Sequence, residues 1–158
     1  MTKTVGILGL GLFGTTIAKQ LSQYDCDIIA VDSIYIKAER LYTIDSQEEN
    51  VNRLEPYITK GVIADITDFH VLEEIGISNC DVTVIATGSN LEASILAVMR
   101  CSKLGVPKIV AKAKSKTSTE ILMKMGATRI INPEKETGIR VAKNIVHHKI
   151  YIYVNNMI

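Results

Sequence analysis

Short apolar runs alternate with stretches of helical periodicity along the whole chain. The runs fall at residues 4–8, 28–31, 61–64, 82–86, 108–111 and 128–131. Each is short and rich in Ile, Val and Ala, which predicts buried strands. Between them, Ile17, Ala18 and Leu21 share one face of a first helix. Leu91, Ile95, Val98 and Met99 form the face of another, entered through the capping pair Ser89-Asn90. Gly105 ends that helix and Pro107 keeps it from resuming. Pro133 opens a last helix with apolar positions Ile139, Ala142, Ile145 and Val146. Such alternation implies an α/β fold, a doubly wound parallel sheet of about six strands with flanking helices. Residues 46–52 are polar and read as a helix end or a loop. Residues 149–154 alternate like a strand that lacks an obvious neighbour in the chain, and so suit pairing with another subunit or the start of a further domain.

Composition narrows the picture. A chain of 158 residues suits one domain with a real core. It is 47% apolar but only 5% aromatic, with no Trp, as expected of a sheet covered on both faces. A net charge of +1 gives no electrostatic case for a nucleic-acid partner. The three Cys form no C-x-x-C pair and only three His are present, so a zinc site is not expected and reduced thiols are. The uncharged run from residue 4 to Ala18 superficially resembles a signal peptide. It is shorter than the roughly 20 residues of a membrane span, and its glycines have another explanation.

That explanation is Val5-Gly6-Ile7-Leu8-Gly9-Leu10-Gly11-Leu12-Phe13-Gly14. An apolar strand runs into G-x-G-x-x-G and then a helix. Gly9 permits the turn, Gly11 admits a phosphate against the backbone, and Gly14 lets helix and strand pack closely. The helix N-terminus offers free N–H groups to an anion. Asp32 ends the next strand, about 20 residues on, where a ribose diol would be read. A carboxylate there accepts from a 2′-OH and repels a 2′-phosphate, which favours NAD(H) or an adenine nucleotide over NADP(H).

Ligands of open parallel sheets lie beyond the C-terminal strand ends. The candidates there are the glycine turn, then Asp32 and Ser33, then Asp65, Ile66 and Thr67, then Ala86, Thr87 and Gly88. The third group could line an adenine pocket, although Asp65, Thr67 and Asp68 could equally cap the following helix. Lys112, Lys114 and Lys116 alternate at the fifth strand end, as phosphate contacts, contacts to acidic partner groups, or a solvated run. Catalytic groups are scarce. No Gly precedes a Lys as in a Walker A loop, and no Tyr has a Lys four residues on. His70, His147 and His148 fall away from the strand ends, and no Cys has an obvious base beside it.

These residues resemble the N-terminal RCK domain (KTN or TrkA-N) of Ktr- and Trk-type potassium-transport regulators. The glycine motif with Asp32 matches the family's opening. Ala64-Asp65-Ile66-Thr67-Asp68 resembles its third-strand motif, and Ala86 to Ser94 its fourth strand and helix. The stretch Met125-Gly126-Ala127-Thr128-Arg129-Ile130-Ile131-Asn132-Pro133-Glu134 is the most specific piece. The likeness implies a Rossmann-like nucleotide-binding domain over residues 1–146, with a C-terminal crossover helix, and a linker or assembly tail over 147–158. It implies no enzyme but a cytoplasmic regulatory subunit, peripheral to the membrane through a potassium channel or translocating subunit. Such subunits form dimers and rings, up to octamers, whose shape responds to nucleotide. The implied ligand is NAD(H) or ATP, ADP or AMP. Gly9, Gly11, Leu12, Phe13 and Gly14 would border phosphate, Asp32 and Ser33 the ribose, and residues 65–67 the adenine. Ala86, Thr87, Gly88 and Lys112 would border the distal end. Two positions depart from the Ktr pattern. Leu12 stands where an Arg often clamps the terminal phosphate, and Met123 where a Glu often helps hold a cation, with Glu120 nearby. The other readings are the cofactor half of an NAD-dependent oxidoreductase and a ring scaffold with a vestigial pocket.

Overall fold

The computed structural model describes residues 2–33 and 43–147. Six strands form one parallel sheet: β1 (Lys3–Leu8), β2 (Cys26–Ser33), β3 (Lys60–Ala64), β4 (Val82–Ile85), β5 (Lys108–Lys112) and β6 (Arg129–Ile131). Their order is β3-β2-β1-β4-β5-β6. The chain winds outward from β1 in one direction and from β4 in the other, so the sheet has a switch point between these two strands. The helices are α1 (Leu12–Leu21), α2 (Thr43–Leu54), α3 (Phe69–Ile75), α4 (Leu91–Lys103), α5 (Lys116–Met125) and α6 (Pro133–Val146). Each apolar run became a strand, with ends moved by no more than two residues. The doubly wound, Rossmann-like class is the one observed.

Two apolar layers sandwich the sheet. Leu8, Ile85, Ile109 and Ala111 meet Leu72 of α3, Ala97, Val98 and Cys101 of α4, and Leu122 of α5. On the other face Val5, Ile7, Ile28 and Ala30 meet Ala18 of α1 and Leu54 of α2. Burial on both faces is why the strands read as continuous apolar runs rather than as alternating ones.

Local chemistry sets the helix ends. Asn90 caps α4 by accepting the Ala93 N–H at 3.1 Å. Ser115 and Ser118 form a reciprocal capping box at α5. Asn132 caps α6 ahead of Pro133, accepting from the Lys135 N–H at 3.0 Å. The α6 helix buries none of its residues, and Ile139, Val141, Ile145 and Val146 are 43–73% exposed.

One sequence expectation needs amendment, and another falls outside the described residues. Residues 46–52 are not a helix end or loop but the body of α2. Among its described side chains, Val51 and Leu54 pack into the core beneath it. The strand-like stretch at 149–154, with the rest of the tail from His148, lies outside the described residues.

Candidate functional site

The C-terminal ends of β1 and β4 open the crevice at the switch point, and the glycine turn fills its floor. Gly9 has φ +103°, a left-handed conformation that glycine adopts without strain. Its N–H donates to the Val31 carbonyl at 2.8 Å, tying the turn to β2. A Cβ on Gly14 would stand 2.0 Å from the Gly9 oxygen, so α1 approaches the turn as closely as backbone allows. A Cβ on Gly11 would meet nothing within 4 Å: this position faces open space. Gly11 is the N-cap of α1 and provides no side-chain cap. The first-turn N–H groups of Leu12, Phe13 and Gly14 therefore have no intrahelical acceptor and point toward that space, as an anion requires.

Asp32 closes one side. It is buried at the end of β2, and its Oδ1 accepts from the Leu10 N–H at 3.3 Å. Its Oδ2 accepts from the Asn50 amide of α2 at 3.2 Å. The carboxylate is thus held against the glycine turn by the loop on one side and a helix on the other. Ser33 ends β2 in register with Ala64 of β3. Asn50 escaped the sequence reading because it sits in the polar stretch left undecided between helix end and loop. The spacing of Val51 and Leu54, with the Glu49–Arg53 pair, was the signal that would have placed it on a helix facing β2.

Beyond β3 the chain makes a tight turn. Asp65 Oδ1 accepts from the Thr67 N–H at 2.8 Å and from its hydroxyl at 2.6 Å. Asp68 caps α3 by accepting from the N–H groups of His70 and Val71. Of the open alternatives, capping holds for Asp68, while Asp65 shapes the turn. Ile66 is buried in the core, so its side chain packs there rather than toward a ligand. The Thr67 carbonyl accepts from Arg100 Nε of α4 at 3.1 Å. No local pattern foretells that link across 33 residues. Asp65, Thr67 and Asp68 line an open pocket of about 480 Å³ with Phe69, His70, Arg100 and Lys103.

At the β4 end the Ala86 N–H donates to the Leu8 carbonyl at 2.8 Å, zipping β4 to β1 just below the crevice. The Thr87 and Ser94 hydroxyls hydrogen-bond at 2.9 Å, holding this loop to α4. Gly88 lies against Lys112 of β5: a Cβ there would sit 3.3 Å from the lysine's Cδ, Cε and Nζ. The same ammonium stands 5.7 Å from the Phe13 ring centroid, within cation–π range. Lys112, Phe13 and Gly88 therefore converge beside the α1 N-terminus. Lys114 and Lys116 do not share this role, since Lys114 is exposed on the loop beyond β5 and Lys116 opens α5. Leu12 is 87% exposed on the first turn of α1, and Met123 is 47% exposed on α5.

Two of the three thiols are buried. Burial pushes the Cys80 thiol up to about 11 and the Cys101 thiol up to about 12, so neither supplies a thiolate near neutral pH. His70 lies in the first turn of α3 and His147 caps α6. Among the described residues no group of three or more His, Cys, Asp or Glu is arranged to hold a metal ion. Among them, too, no helix is long and apolar enough to cross a membrane.

The TrkA-N domain family matches residues 5–133 of this chain. The chain is 35% identical over 154 residues to Ktr system potassium uptake protein C of Bacillus subtilis, covering 98% of this chain and 64% of that protein. It is 33% identical over 153 residues to Ktr system potassium uptake protein A of the same organism, covering 97% and 63%. The chain thus spans less than two thirds of the length of these relatives. Among solved structures, the TrkA-N domain of the Escherichia coli inner membrane protein ybaL superposes with a TM-score of 0.69 at 12% identity, covering 90% of this chain and 96% of that one. The GsuK channel bound to NAD gives 0.63 at 17%, covering 83% and 21%. The Shewanella denitrificans Kef CTD in its AMP-bound form gives 0.67 at 18%, covering 92% and 80%. At such identities these structures establish the fold.

Proposed function

We propose, from the premise that this chain belongs to the TrkA-N domain family, that it is the nucleotide-binding part of a regulatory subunit of a potassium uptake system. The observation that carries the reading is the glycine turn packed around Gly14, open at Gly11, with the Asp32 carboxylate fixed beside it. That geometry suits a nucleotide whose phosphate lies on the α1 N-terminus and whose ribose diol donates to Asp32. The Ktr proteins among its relatives support the physiological role. The NAD-bound and AMP-bound neighbours support the ligand class.

In this reading residues 1–146 are the binding domain and 147–158 a linker or assembly tail. Gly9, Gly11, Leu12, Phe13 and Gly14 border the phosphates, and Asp32 and Ser33 the ribose. Asp65, Ile66 and Thr67 border the base, and Ala86, Thr87, Gly88 and Lys112 the distal end. The ligand is NAD(H) or an adenine nucleotide. The exposed apolar stripe of α6 supports pairing with a second copy and ring assembly, because a helix that buries nothing in its own chain gains by burial elsewhere. The subunit acts from the cytoplasm, peripheral to the membrane through its channel or translocating partner, and is not an enzyme. A nucleotide gates the partner only to the extent that it binds one ring conformation more tightly than the other.

Thermal shift with ATP, ADP, AMP, NAD and NADH, with and without magnesium, tests the ligand claim. A ligand at 100 times its Kd adds about 2.7 kcal/mol to the folded state. In a domain of this size that raises Tm by roughly 5–10 °C. A shift with NAD(H) assigns a dinucleotide sensor, and a shift with ATP or ADP a Ktr-like one. No shift with any of them refutes nucleotide binding and leaves a scaffold, the reading that the unclamped Leu12 position favours.

A further inference from the structure

We infer that Asn50 is a positioning residue for ribose recognition: it fixes the Asp32 carboxylate so that the site prefers a ribose over a 2′-deoxyribose. The inference rests on the nucleotide-binding reading above and assigns a specificity element within that site.

Three observations carry it. First, Asn50 Nδ2 lies 3.2 Å from Asp32 Oδ2, while the Leu10 N–H lies 3.3 Å from Oδ1. An ionised carboxylate only accepts, so the amide's NH₂ side must face it. These donors reach the carboxylate from different elements and engage different oxygens, so together they help to set the plane of the group. Second, the helix that carries Asn50 is firmly seated. Leu54 is 1% exposed, and a Cβ on Gly61 would stand 2.6 Å from Val51 Cγ1, so α2 lies directly on β3. The amide is delivered from a fixed base rather than from a mobile arm. Third, Asn50 itself adds no charge. A Lys or Arg at this position would offset the carboxylate and admit a 2′-phosphate; a neutral amide orients Asp32 and leaves its preference for a hydroxyl donor in place.

Each carboxylate oxygen has more than one acceptor site, so an oriented Asp32 still receives two hydroxyls of a vicinal diol. Without Asn50 the carboxylate can turn away from one of them. The 2′-hydroxyl then contributes less, whereas the phosphate and base contacts are untouched.

The test is calorimetric titration of ADP and of 2′-deoxy-ADP into wild type, Asn50→Leu and Asn50→Ala. Leu keeps the branched shape at Cγ and favours the helix while removing the donor. Ala covers the case in which Leu does not fit. The expected wild-type preference for ADP is about tenfold, the worth of one hydrogen bond to a charged group. In the variants ADP should weaken about tenfold with 2′-deoxy-ADP nearly unchanged, so that the preference vanishes. Equal weakening of both ligands, or a preserved preference, overturns the inference and leaves the nucleotide site standing. So does failure of both variants to fold, which would make Asn50 a structural residue. If wild type binds neither ADP nor NADH, the nucleotide reading itself fails and this inference goes with it.

Discussion

Gly11 and Gly14 lie three residues apart in one motif, yet the same substitution should break the protein in opposite ways. In Gly14→Ala the new Cβ would be 2.0 Å from the Gly9 oxygen, where ordinary contact begins near 3.4 Å, so α1 must retreat by about 1.4 Å. The obstacle is backbone and cannot rotate aside. Overpacking of this severity costs about 3 kcal/mol or more. Alanine's better helix propensity returns about 1 kcal/mol. The clash wins by about 2 kcal/mol or more, a fall in Tm of at least roughly 4–8 °C for a domain of this size. In Gly11→Ala the backbone, at φ −74°, already suits alanine, and its Cβ meets nothing within 4 Å. The cost is that of a poorer N-cap, below about 1 kcal/mol, so Tm should move by less than about 3 °C. The methyl group nevertheless occupies the approach of the phosphate, and nucleotide affinity should fall at least about tenfold. Thermal melts followed by circular dichroism, with calorimetric titration of the ligand found by thermal shift, separate the two effects. A Gly14→Ala protein as stable as wild type would refute the packing argument. A Gly11→Ala protein that binds normally would refute the phosphate placement.

Further consequences are open to direct measurement. Lys112→Gln should weaken nucleotide binding about tenfold and flatten its salt dependence, with Tm unchanged; an unaltered salt dependence would return Lys112 to the solvated surface. For the thiols, the folded pKa values of about 11 and about 12 lie above the ordinary 9.0. Their contribution to stability is therefore complete below about pH 9 and is lost as pH rises through the folded values, which urea titrations between pH 8 and 11 would detect. At pH 8 a thiol reagent should modify half-buried Cys26 well before the buried Cys80 and Cys101, and equal rates for all three would contradict the packing. Ile145→Asp together with Val146→Asp should leave the circular dichroism spectrum intact and lower the mass seen by analytical ultracentrifugation. An unchanged mass would remove α6 from assembly.

The chain announced its strands because a parallel sheet covered on both sides leaves few solvent-facing positions, mostly at strand starts such as Lys108, to interrupt the apolar runs. The glycine turn was equally plain, since Gly9 and Gly14 answer separate steric demands of the backbone at a fixed spacing. Less legible was whatever depends on partners distant in sequence. The 46–52 stretch reads as a helix end or loop because it is polar apart from Val51, while Val51 and Leu54 are the described side chains of α2 that reach the core. Asn50 was hidden with it. Arg100 reads as one more charge on α4 until the fold brings it to the Thr67 carbonyl. Asp68 could not be separated from a ligand contact by composition, because a cap and a binding carboxylate call for the same residue type; the Asp68 bonds to His70 and Val71 decide it.

The closeness of Gly14 to the Gly9 carbonyl also bears on signalling. The phosphate loop owes its shape to contacts within the chain, so its ordering entropy is spent at folding and binding need not supply it. For the proposed nucleotide, a preformed cradle would be a poor messenger: it would look the same under every phosphate that lands there. In the proposed site, information about which ligand is present would have to be read where ligands differ, at the far end beyond Gly88 and Lys112. The fixed loop would then serve as the reference point against which that difference registers.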